Sequence, residues 1–491
     1  MIYPTLVDAK NILEEGDYKR IPIKMEFHSD MVTPIMVLRR LKKVSRHCFI
    51  LESAESSKTW GRYTFLGYDP TLELTCQNGE LKIKSGLEVV EKTNHPEERI
   101  RQMITENRTP RLLEMPPFAG GLVGYFSYDY IKYSEPSLQI EVRDEEGFKD
   151  VDLMLFDKVI VFDHYKQKLI LIVNIEADNI DTSYAKGIME LENIKRLVME
   201  GETAENKKLE LLSSFRQLFD KETYCKMVER GKHYIKEGDI FQIVLSNRLE
   251  ADIRGSLLDT YRMLRTTNPS PYMFYFSSDD IEIAGASPET MVKLENGVLH
   301  TFPLAGTRPR GETEKEDLEL ERELLSDEKE RAEHNMLVDL GRNDIGRISQ
   351  IGSVEVEKYM QVEKFSHVMH IGSTVKGKIR EDKDALDTIA AILPAGTLSG
   401  APKLRACELI CELENNKRGI YGGAIGYLDF TGNLDTCIAI RLAFTKNNKV
   451  FVRSGAGIVA DSVPEMEYQE CINKSKAVMS ALEQANGGID L

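Results

Sequence analysis

Two Asn-Gly dipeptides, each between short apolar runs, constrain the fold of this chain more than any other feature of its sequence. Asn78-Gly79 and Asn296-Gly297 can adopt the positive φ angles that a tight hairpin turn requires. Each dipeptide therefore predicts two adjacent antiparallel strands. The flanking runs are residues 72–76 with 81–83 and residues 291–294 with 298–302.

Further strand pairs extend this pattern along the chain. Residues 151–162 with 169–175, and residues 442–445 with 450–453, are apolar runs separated by short polar turns. No regular β-α-β alternation and no G-x-G-x-x-G motif accompanies them. The sequence therefore predicts an α+β fold with large antiparallel sheets instead of a doubly wound parallel sheet.

Four segments have the apolar periodicity or the start signals of helices. Residues 181–199, 223–236 and 316–340 are three of them, and the second is expected to end at Gly238. A capping box at residues 462–465, with proline in the first turn, predicts the start of the fourth. The polar stretch 200–208 is the best candidate for a linker, which divides the chain into regions 1–200 and 210–491.

The charge balance limits the partners that this chain can bind. Eighty acidic residues against 64 Lys and Arg residues give a formal net charge of −16 over 491 residues. Such a surface disfavours nonspecific contact with nucleic acid or an anionic membrane, so an anionic substrate needs local basic groups. The start lacks a signal-peptide pattern, no apolar run is long enough to span a membrane, and the seven cysteines are scattered. We therefore expect reduced thiols in a cytoplasmic protein.

Two pairs of glutamates indicate a possible metal site. Glu330 and Glu333 lie three positions apart on one expected helix, and Glu467 and Glu470 lie three apart on another, so each pair shares a helix face. If the helices met, four carboxylates would converge, and an all-oxygen site suits Mg²⁺. From spacing alone, a solvent-exposed acidic face is the commoner explanation of such pairs.

Glycine-rich segments and single charged residues indicate where an anion could bind and react. Residues 306–308, 396–400 and 454–457 combine glycine with polar residues, which suits close approach of backbone N–H groups to an anion or a tight turn between strands. Arg441 ends an apolar run, where it needs a carboxylate partner from the protein or from a ligand. Glu289 follows a strand and a proline turn, so it is either a general acid or a plain hairpin residue.

Taken together, these segments resemble the chorismate-utilising enzymes, which include anthranilate, aminodeoxychorismate, isochorismate and salicylate synthases. Motifs of the N-terminal part of that family match residues 51–55 and 61–67. The resemblance therefore covers nearly the whole chain, and it implies antiparallel sheets packed as a sandwich with helices outside. It also implies an N-terminal region (1–200) with a regulatory site and a chorismate-binding catalytic region (210–491). The matching catalytic segments are 238–246, 285–289, 302–311, 324–344, 367–372, 393–402, 421–441 and 453–470.

The resemblance implies a role for each matching position. Glu333 and Glu470 would bind Mg²⁺, with Glu330 and Glu467 beside them directly or through water, and the metal would hold the ring carboxylate of chorismate. Glu289 would protonate the departing C4 hydroxyl. The remaining contacts to substrate would come from His370 and Thr397 against the ring, from Tyr421 and Arg441 at the enolpyruvyl carboxylate, and from donors at Gly306, Thr307, Gly455, Ala456 and Gly457.

Two positions distinguish among the members of this family. Water-activating members have a lysine where this chain has Gln242, and aminodeoxychorismate synthases typically have a lysine where it has Ala305. The resemblance therefore implies that ammonia attacks C2 and that loss of the C4 hydroxyl and of pyruvate yields anthranilate, the first step of tryptophan biosynthesis. Aminodeoxychorismate synthesis remains an alternative, since some of those enzymes lack the lysine. A chorismate- or tryptophan-binding regulator without catalysis is the alternative from another class.

The resemblance also implies a protein partner and an inhibitor. No cysteine lies in the glycine-flanked turn that a glutamine amidotransferase uses, so we expect a separate glutamine amidotransferase subunit to supply ammonia. Tryptophan, as feedback inhibitor, would bind away from the chemistry and between the two regions. The expected tryptophan-site residues are Ser53, Pro271, Tyr272 and Met273.

Overall fold

The structure, a computed structural model, describes residues 2–53, 61–138, 141–205, 207–364 and 368–489. Within these ranges the strands pair antiparallel with one another. The strands are β1 (Ile2–Tyr3), β2 (Arg20–His28), β3 (Cys48–Glu52), β4 (Tyr63–Tyr68), β5 (Leu72–Gln77), β6 (Glu80–Ser85), β7 (Leu87–Lys92), β8 (Gly121–Phe126), β9 (Val151–Phe156), β10 (Lys158–Asp163), β11 (Lys168–Glu176), β12 (Glu210–Leu211), β13 (Arg216–Gln217), β14 (Gln242–Arg254), β15 (Tyr272–Ser277), β16 (Glu282–Ser287), β17 (Thr290–Glu295), β18 (Val298–Thr301), β19 (Leu304–Pro309), β20 (Glu355–Lys364), β21 (Val368–Lys378), β22 (Gly400–Ala401), β23 (Ala424–Asp429), β24 (Leu434–Ile438), β25 (Leu442–Lys446) and β26 (Lys449–Ile458).

Helices interrupt this series at irregular intervals, and two short 3₁₀ turns accompany them. The helices are α1 (Leu6–Glu14), α2 (Pro34–Val44), α3 (Pro96–Glu106), α4 (Ile131–Ser134), α5 (Ile180–Glu200), α6 (Lys221–Glu237), α7 (Leu258–Thr267), α8 (Glu314–Ser326), α9 (Glu328–Gly346), α10 (Ala385–Ile392), α11 (Lys403–Glu414) and α12 (Pro464–Ala485).

The strands form two large sheets, and each sheet takes strands from both halves of the chain. The first sheet has the order β1-β2-β11-β10-β4-β3-β15-β16-β25-β26-β14-β12, with β13 and β22 also paired to β14. The second has the order β19-β21-β18-β17-β24-β23-β8-β9-β5-β6-β7, with β20 paired to β21. The pairs β3–β15 and β8–β23 therefore join the region before residue 200 to the region after residue 210.

Apolar residues explain why the two sheets pack face to face. Phe49 and Phe274 of the first sheet and Phe156 and Tyr427 of the second lie in one buried cluster between them. A second cluster packs the outer face of the first sheet against α1, α2, α5, α7 and α12, and a third packs the second sheet against α3, α9 and α10. The expected architecture, an antiparallel sandwich with helices outside, is confirmed.

The hairpins expected from the sequence are confirmed. β5 pairs with β6 around Asn78, and β17 pairs with β18 around Asn296, and both asparagines have positive φ angles. β10–β11 and β25–β26 are also adjacent antiparallel pairs. The helix expected at 223–236 is α6, which ends at Gly238 with φ of 85°.

Two expected elements are each divided in the structure. Residues 151–162 are not one strand, because β9 lies in the second sheet and β10 in the first, so the chain changes sheets at Asp157. Residues 316–340 are not one helix, because Asp327 ends α8 and caps α9. Its side chain accepts hydrogen bonds from the backbone N–H groups of Lys329 (3.0 Å) and Glu330 (3.2 Å).

The capping box expected at residues 462–465 is not formed. Val463 is the N-cap of α12 and makes no side-chain capping bond, although Pro464 occupies the first turn as expected. Ser462 instead accepts a hydrogen bond from the backbone N–H of Val459 at 3.1 Å. A serine three residues before a glutamate can satisfy a preceding turn as readily as a helix, and sequence does not distinguish the two.

Two general expectations can be compared with this structure. All seven cysteines are free thiols. Among the described residues, no helix is both long and apolar enough to cross a bilayer.

Candidate active site

Glu289 lies at a corner where the chain passes from the first sheet to the second. Pro288 and Glu289 connect β16 to β17, and the corner is held by hydrogen bonds on both sides. The Ser287 hydroxyl donates to the Ile438 carbonyl oxygen (2.7 Å) and accepts from the Glu289 N–H (3.3 Å). The Ile438 N–H donates to the Glu289 carbonyl oxygen at 2.9 Å. The backbone that carries this carboxyl group is therefore fixed by β24.

The carboxyl group of Glu289 is suited to donate a proton near neutral pH. Burial raises its pKa to about 7, although a hydrogen bond from Thr397 and the charges of Lys474 and Arg441 oppose this shift. The Thr397 hydroxyl lies 3.3 Å from Oε1 of Glu289. A cavity of about 50 Å³ borders both residues and is lined mainly by apolar side chains. Because half of such groups are protonated at pH 7, Glu289 fits the expected general acid.

Arg441 supplies the positive charge beside Glu289. It lies between β24 and β25 with φ of 54°, a left-handed conformation that points to a local constraint. Burial lowers the pKa of its guanidinium, and the nearby carboxyl of Glu289 partly opposes this. Its guanidinium makes no ion pair or hydrogen bond with another part of the chain that the structure describes. A ligand carboxylate would satisfy this partly buried cation.

The glycines of β26 allow other groups of the protein to approach this strand closely. A Cβ atom at Gly455 would lie 2.7 Å from the Leu245 carbonyl oxygen and 3.0 Å from the Tyr421 hydroxyl. At Gly457 a Cβ atom would lie 2.8 Å from Nε2 of Gln242, so the amide of Gln242 faces this strand. Gly455, Ala456 and Gly457 pair with β14, and Tyr421 is buried beside them. The structure thus brings these four expected residues together.

A buried ion network supports this strand. Glu414 accepts hydrogen bonds from the guanidinium groups of Arg418 (2.5 Å) and Arg453 (2.7 Å) and from the backbone N–H of Ser246 (2.7 Å). Arg418 lies over the rings of Tyr128 and Tyr421, at 4.5 and 6.0 Å. Arg453 belongs to β26, two residues before Gly455. Sequence reasoning missed this network, and the one available signal was the spacing of Glu414 and Arg418, four positions apart.

His370 and the 306–307 segment form the next part of the site. Nδ1 of His370 lies 2.6 Å from the Gly306 carbonyl oxygen and 3.2 Å from the Thr307 hydroxyl. The carbonyl can only accept, so the Nδ1 atom carries the proton. Burial lowers the pKa of His370, and the neighbouring charge of Arg441 lowers it further, so the ring is neutral with its lone pair on Nε2. Ala305, one of the two positions expected to distinguish among family members, precedes this segment on β19.

The four glutamates lie on α9 and α12 as expected, and their charges interact. Burial raises the pKa of Glu333, and Glu330 and Glu470 raise it further. Burial and the charge of Glu470 likewise raise the pKa of Glu467, against an opposing hydrogen bond from Ser462. This cluster lies beside the 306–307 segment, because a Cβ atom at Gly306 would lie 3.2 Å from Oε2 of Glu330.

Basic residues partly balance the negative charge of these four glutamates. Lys474 lies 2.7 Å from Glu470, and Arg308 lies 3.5 Å from Glu330. Sequence reasoning missed both, although Lys474 follows Glu470 by four positions on one helix. Within the described ranges, His47, Glu73 and Asp279 are the one group of three or more potential metal-ligand atoms that all lie within 4.8 Å of one another. The four glutamates are therefore near one another without forming so tight a set.

The chemistry of these four side chains nevertheless fits a hard divalent cation. Their oxygen atoms are the ligands that Mg²⁺ prefers. The raised pKa values of Glu333 and Glu467 show that their negative charges are destabilised where they lie, and a bound cation would remove that cost.

The expected tryptophan-site residues lie at the junction of the two regions. β3 pairs with β15 and places Glu52 opposite Met273, so Ser53 follows directly beside the start of β15. Glu52 accepts hydrogen bonds from Tyr261 and Arg265 of α7. Met273 packs in the outer cluster with Tyr261. The adjacent Tyr272 points to the opposite face of the sheet, where its hydroxyl contacts the second sheet. Pro271 is half-buried just before β15.

A family model described as chorismate binding enzyme matches residues 46–480. The chain therefore belongs to the chorismate-binding enzymes. The anthranilate synthase component 1 of Acetivibrio thermocellus is 46% identical over 99% of this chain and 99% of its own length, and that of Aquifex aeolicus is 44% identical over 96% of each. The crystal structure of anthranilate synthase component I from Streptococcus pneumoniae has a TM-score of 0.76 at 39% identity, and the match covers 92% of this chain and 98% of that one. Within the chorismate-binding enzymes, the chain belongs to the anthranilate synthase component 1 family.

Proposed function

We propose that this chain aminates chorismate at C2 with ammonia, releases the C4 hydroxyl and eliminates pyruvate to form anthranilate, the first step of tryptophan biosynthesis. The observation that carries the proposal is the proximity of Glu289, whose pKa is raised to about 7, to the guanidinium of Arg441, which has no ion-pair partner among the described residues. Hydroxide is a poor leaving group, and an acid beside a carboxylate-binding arginine supplies what its departure needs. The names of the relatives support the same reaction.

Each residue then has a defined part in the reaction. Arg441 and Tyr421 bind the enolpyruvyl carboxylate, and backbone donors of the 455–457 and 306–307 segments contribute to the anion site. Glu289 donates its proton to the C4 oxygen as the carbon–oxygen bond breaks, and Thr397 orients that carboxyl group. Neutral His370, with its lone pair on Nε2, is a candidate to accept the C2 proton when pyruvate leaves.

Mg²⁺ is the proposed cofactor. Glu333 and Glu470 would bind it, with Glu330 and Glu467 beside them. When bound, the ion would hold the ring carboxylate and neutralise negative charge there.

One turnover assay tests the proposal. The purified chain is incubated with chorismate, an ammonium salt and Mg²⁺, and product formation is followed by fluorescence. We expect a fluorescent aromatic product. Accumulation of a nonaromatic amine from chorismate would instead indicate aminodeoxychorismate synthesis. An absence of any turnover would favour a regulator that binds chorismate or tryptophan.

We further propose a separate glutamine amidotransferase subunit as the source of ammonia. The name component 1 of the relatives supports a partner component. The chain alone should use ammonium salts and not glutamine, and addition of the amidotransferase subunit should restore use of glutamine. Glutamine-dependent turnover by the chain alone would contradict this division of labour.

Feedback inhibition by tryptophan completes the proposal, with the inhibitor bound by Ser53, Pro271, Tyr272 and Met273 between a regulatory region (1–200) and a catalytic region (210–491). The pairing of β3 with β15 supports it, because a ligand there would contact both regions. By linkage, tryptophan and chorismate would weaken each other's binding by the same factor. Free thiols at all seven cysteines support a cytoplasmic location.

A further inference from the structure

Tyr272 contacts the chain on both sides of the corner that carries Glu289. Its backbone pairs with Ser287 in the β15–β16 ladder. Its hydroxyl lies 3.0 Å from the Thr290 hydroxyl, across the corner in the second sheet. Ser287 precedes and Thr290 follows the Pro288-Glu289 connection. One side chain therefore spans the segment whose conformation determines where the Glu289 carboxyl group lies.

The hydrogen bonds made by the Tyr272 hydroxyl have a defined direction. The Tyr272 hydroxyl lies 2.9 Å from Oδ1 of Asp435 on β24. Burial and the charge of Asp435 raise the pKa of Tyr272 well above its usual value, so the phenol stays protonated. Its hydroxyl therefore donates the hydrogen bond to Asp435. The Thr290 hydroxyl must then donate to the Tyr272 oxygen. Thr290, Tyr272 and Asp435 thus form one chain of bonds that links β17, β15 and β24.

We propose that Tyr272 is a positioning residue that holds the Glu289 corner in the geometry required for proton donation. The inference rests on the role of Glu289 in the proposed function. The Ser287 and Ile438 bonds fix the corner on the β24 side, and the Tyr272 bond fixes it from the first sheet. Without the phenol hydroxyl, the corner gains freedom and the Glu289 carboxyl group becomes more accessible to water.

The test compares variants that remove one hydroxyl each. Tyr272→Phe and Thr290→Val delete the two partners of one bond, and Thr290→Ser retains it. Tyr427→Phe is the matched control, because Tyr427 is another buried phenol in the cluster between the same two sheets. We expect Thr290→Val, which removes one hydrogen bond, to lower kcat by about fivefold to tenfold, and Tyr272→Phe, which removes two, to lower it at least as much. The KM for chorismate should change less than about twofold, since the anion site is intact.

The pH profile supplies a readout that a loss of packing alone would not change. Greater exposure to water lowers the pKa of a buried carboxyl group. At constant free ammonia, the decline of kcat above neutral pH should therefore begin at lower pH in Tyr272→Phe and Thr290→Val. Thr290→Ser and Tyr427→Phe should retain the wild-type profile. The double variant Tyr272→Phe/Thr290→Val should lose no more than Tyr272→Phe alone.

Glu289→Gln separates failure of this inference from failure of the proposed function. If Glu289→Gln is inactive while Tyr272→Phe keeps the wild-type kcat and pH profile, the positioning role is overturned and the acid stands. The positioning role is also overturned if Tyr427→Phe matches Tyr272→Phe in every measurement. Wild-type activity in Glu289→Gln would overturn the acid assignment itself. If Tyr272→Phe does not fold, the Thr290→Val and Thr290→Ser pair decides the question.

Discussion

The two ends of the active site are built in different ways. We call the part around Glu289, Arg441, Tyr421 and residues 455–457 the strand end, and the four glutamates of α9 and α12 the helix end. Beneath the strand end, Glu414 and Arg453 are 1% and 2% exposed and satisfy each other. At the helix end, Glu470 is 49% exposed and pairs with Lys474 on its own helix.

This difference separates what the fold provides from what a ligand must provide. At the strand end, hydrogen bonds within the protein fix the Glu289 corner, and the buried ion pairs of Glu414 support the neighbouring strand β26. At the helix end, burial and the charges of neighbouring glutamates raise the pKa of Glu333 and of Glu467, and a bound cation would remove that cost. The support of the strand end is therefore preorganised, whereas the helix end would depend on the proposed Mg²⁺.

Removal of one metal ligand should have the largest effect. Glu470→Ala should reduce turnover by more than about a thousandfold, because loss of the metal contact costs several kcal/mol. Mg²⁺ should also raise the melting temperature of wild-type protein and not of this variant. Glu465→Ala, at an exposed position on the same helix, is the control. Near-normal turnover of folded Glu470→Ala would show that the helix end is not part of the active site.

Loss of the proton donor should come next. Glu289→Gln keeps the shape of the side chain and removes its acidic proton, so kcat should fall by about 10² to 10⁴. Glu295→Gln, at the other end of the same strand, should leave kcat unchanged. Binding of Mg²⁺, measured by calorimetry, should be the same in both variants, since neither residue is an expected ligand. An active Glu289→Gln enzyme would show that the acid lies elsewhere.

The buried network should affect stability. Glu414→Gln leaves Arg418 and Arg453 without a counter-charge, and breaking such a buried pair costs about 3–5 kcal/mol in the free energy of unfolding. Urea unfolding monitored by circular dichroism measures this loss. Glu412→Gln, an exposed position on the same helix, should change stability by less than about 0.5 kcal/mol. Equal stability of both variants would mean that the network does not hold the strand end.

The pH dependence should report the strand end alone. Because burial raises the pKa of Glu289 to about 7, the acid is protonated below this pH and loses its proton above it. At constant free ammonia and saturating Mg²⁺, kcat should therefore be flat below pH 7 and fall about tenfold per unit above it. A profile that is flat through pH 8 would contradict the raised pKa.

The regulatory substitution should have the smallest effect on basal activity. Ser53→Phe would fill the expected tryptophan site by volume and leave both ends of the active site unchanged. We expect wild-type turnover without tryptophan and loss of inhibition with it, measured by anthranilate fluorescence. Ser53→Ala, which keeps the volume open, should remain sensitive. Full inhibition of Ser53→Phe, or indifference of the wild type to millimolar tryptophan, would show that the site is assigned wrongly.

The sequence predicted what local patterns encode and missed what distant contacts decide. Hairpin turns at Asn78 and Asn296 and the helix end at Gly238 depend on backbone preferences of a few residues, and all three are confirmed. The change of sheet at Asp157 depends on where the chain packs, and the helix break at Asp327 depends on a cap by one side chain, so periodicity revealed neither. In both cases an apolar or helical run continues through the break.

The site shows the same division. Sequence motifs identified Glu289, Arg441 and the four glutamates as candidate site residues. The structure places Glu289 and Arg441 close enough for their charges to interact. Glu414 and Tyr272 were not recognised as supports of the site, because their partners lie 39 and 163 positions away in the chain. Contacts over such separations follow from the fold and not from spacing.

The sharing of both sheets between the two halves of the chain has a consequence during synthesis on the ribosome. When the first 200 residues have emerged, β3 and β8 are open edges that await β15 and β23. Unpaired edges attract other strands, so a nascent chain at this stage is exposed to aggregation. The β3 edge stays open until β15 has been translated and the β8 edge until β23 has, much later in the chain. We expect chaperones to occupy these edges in the interval.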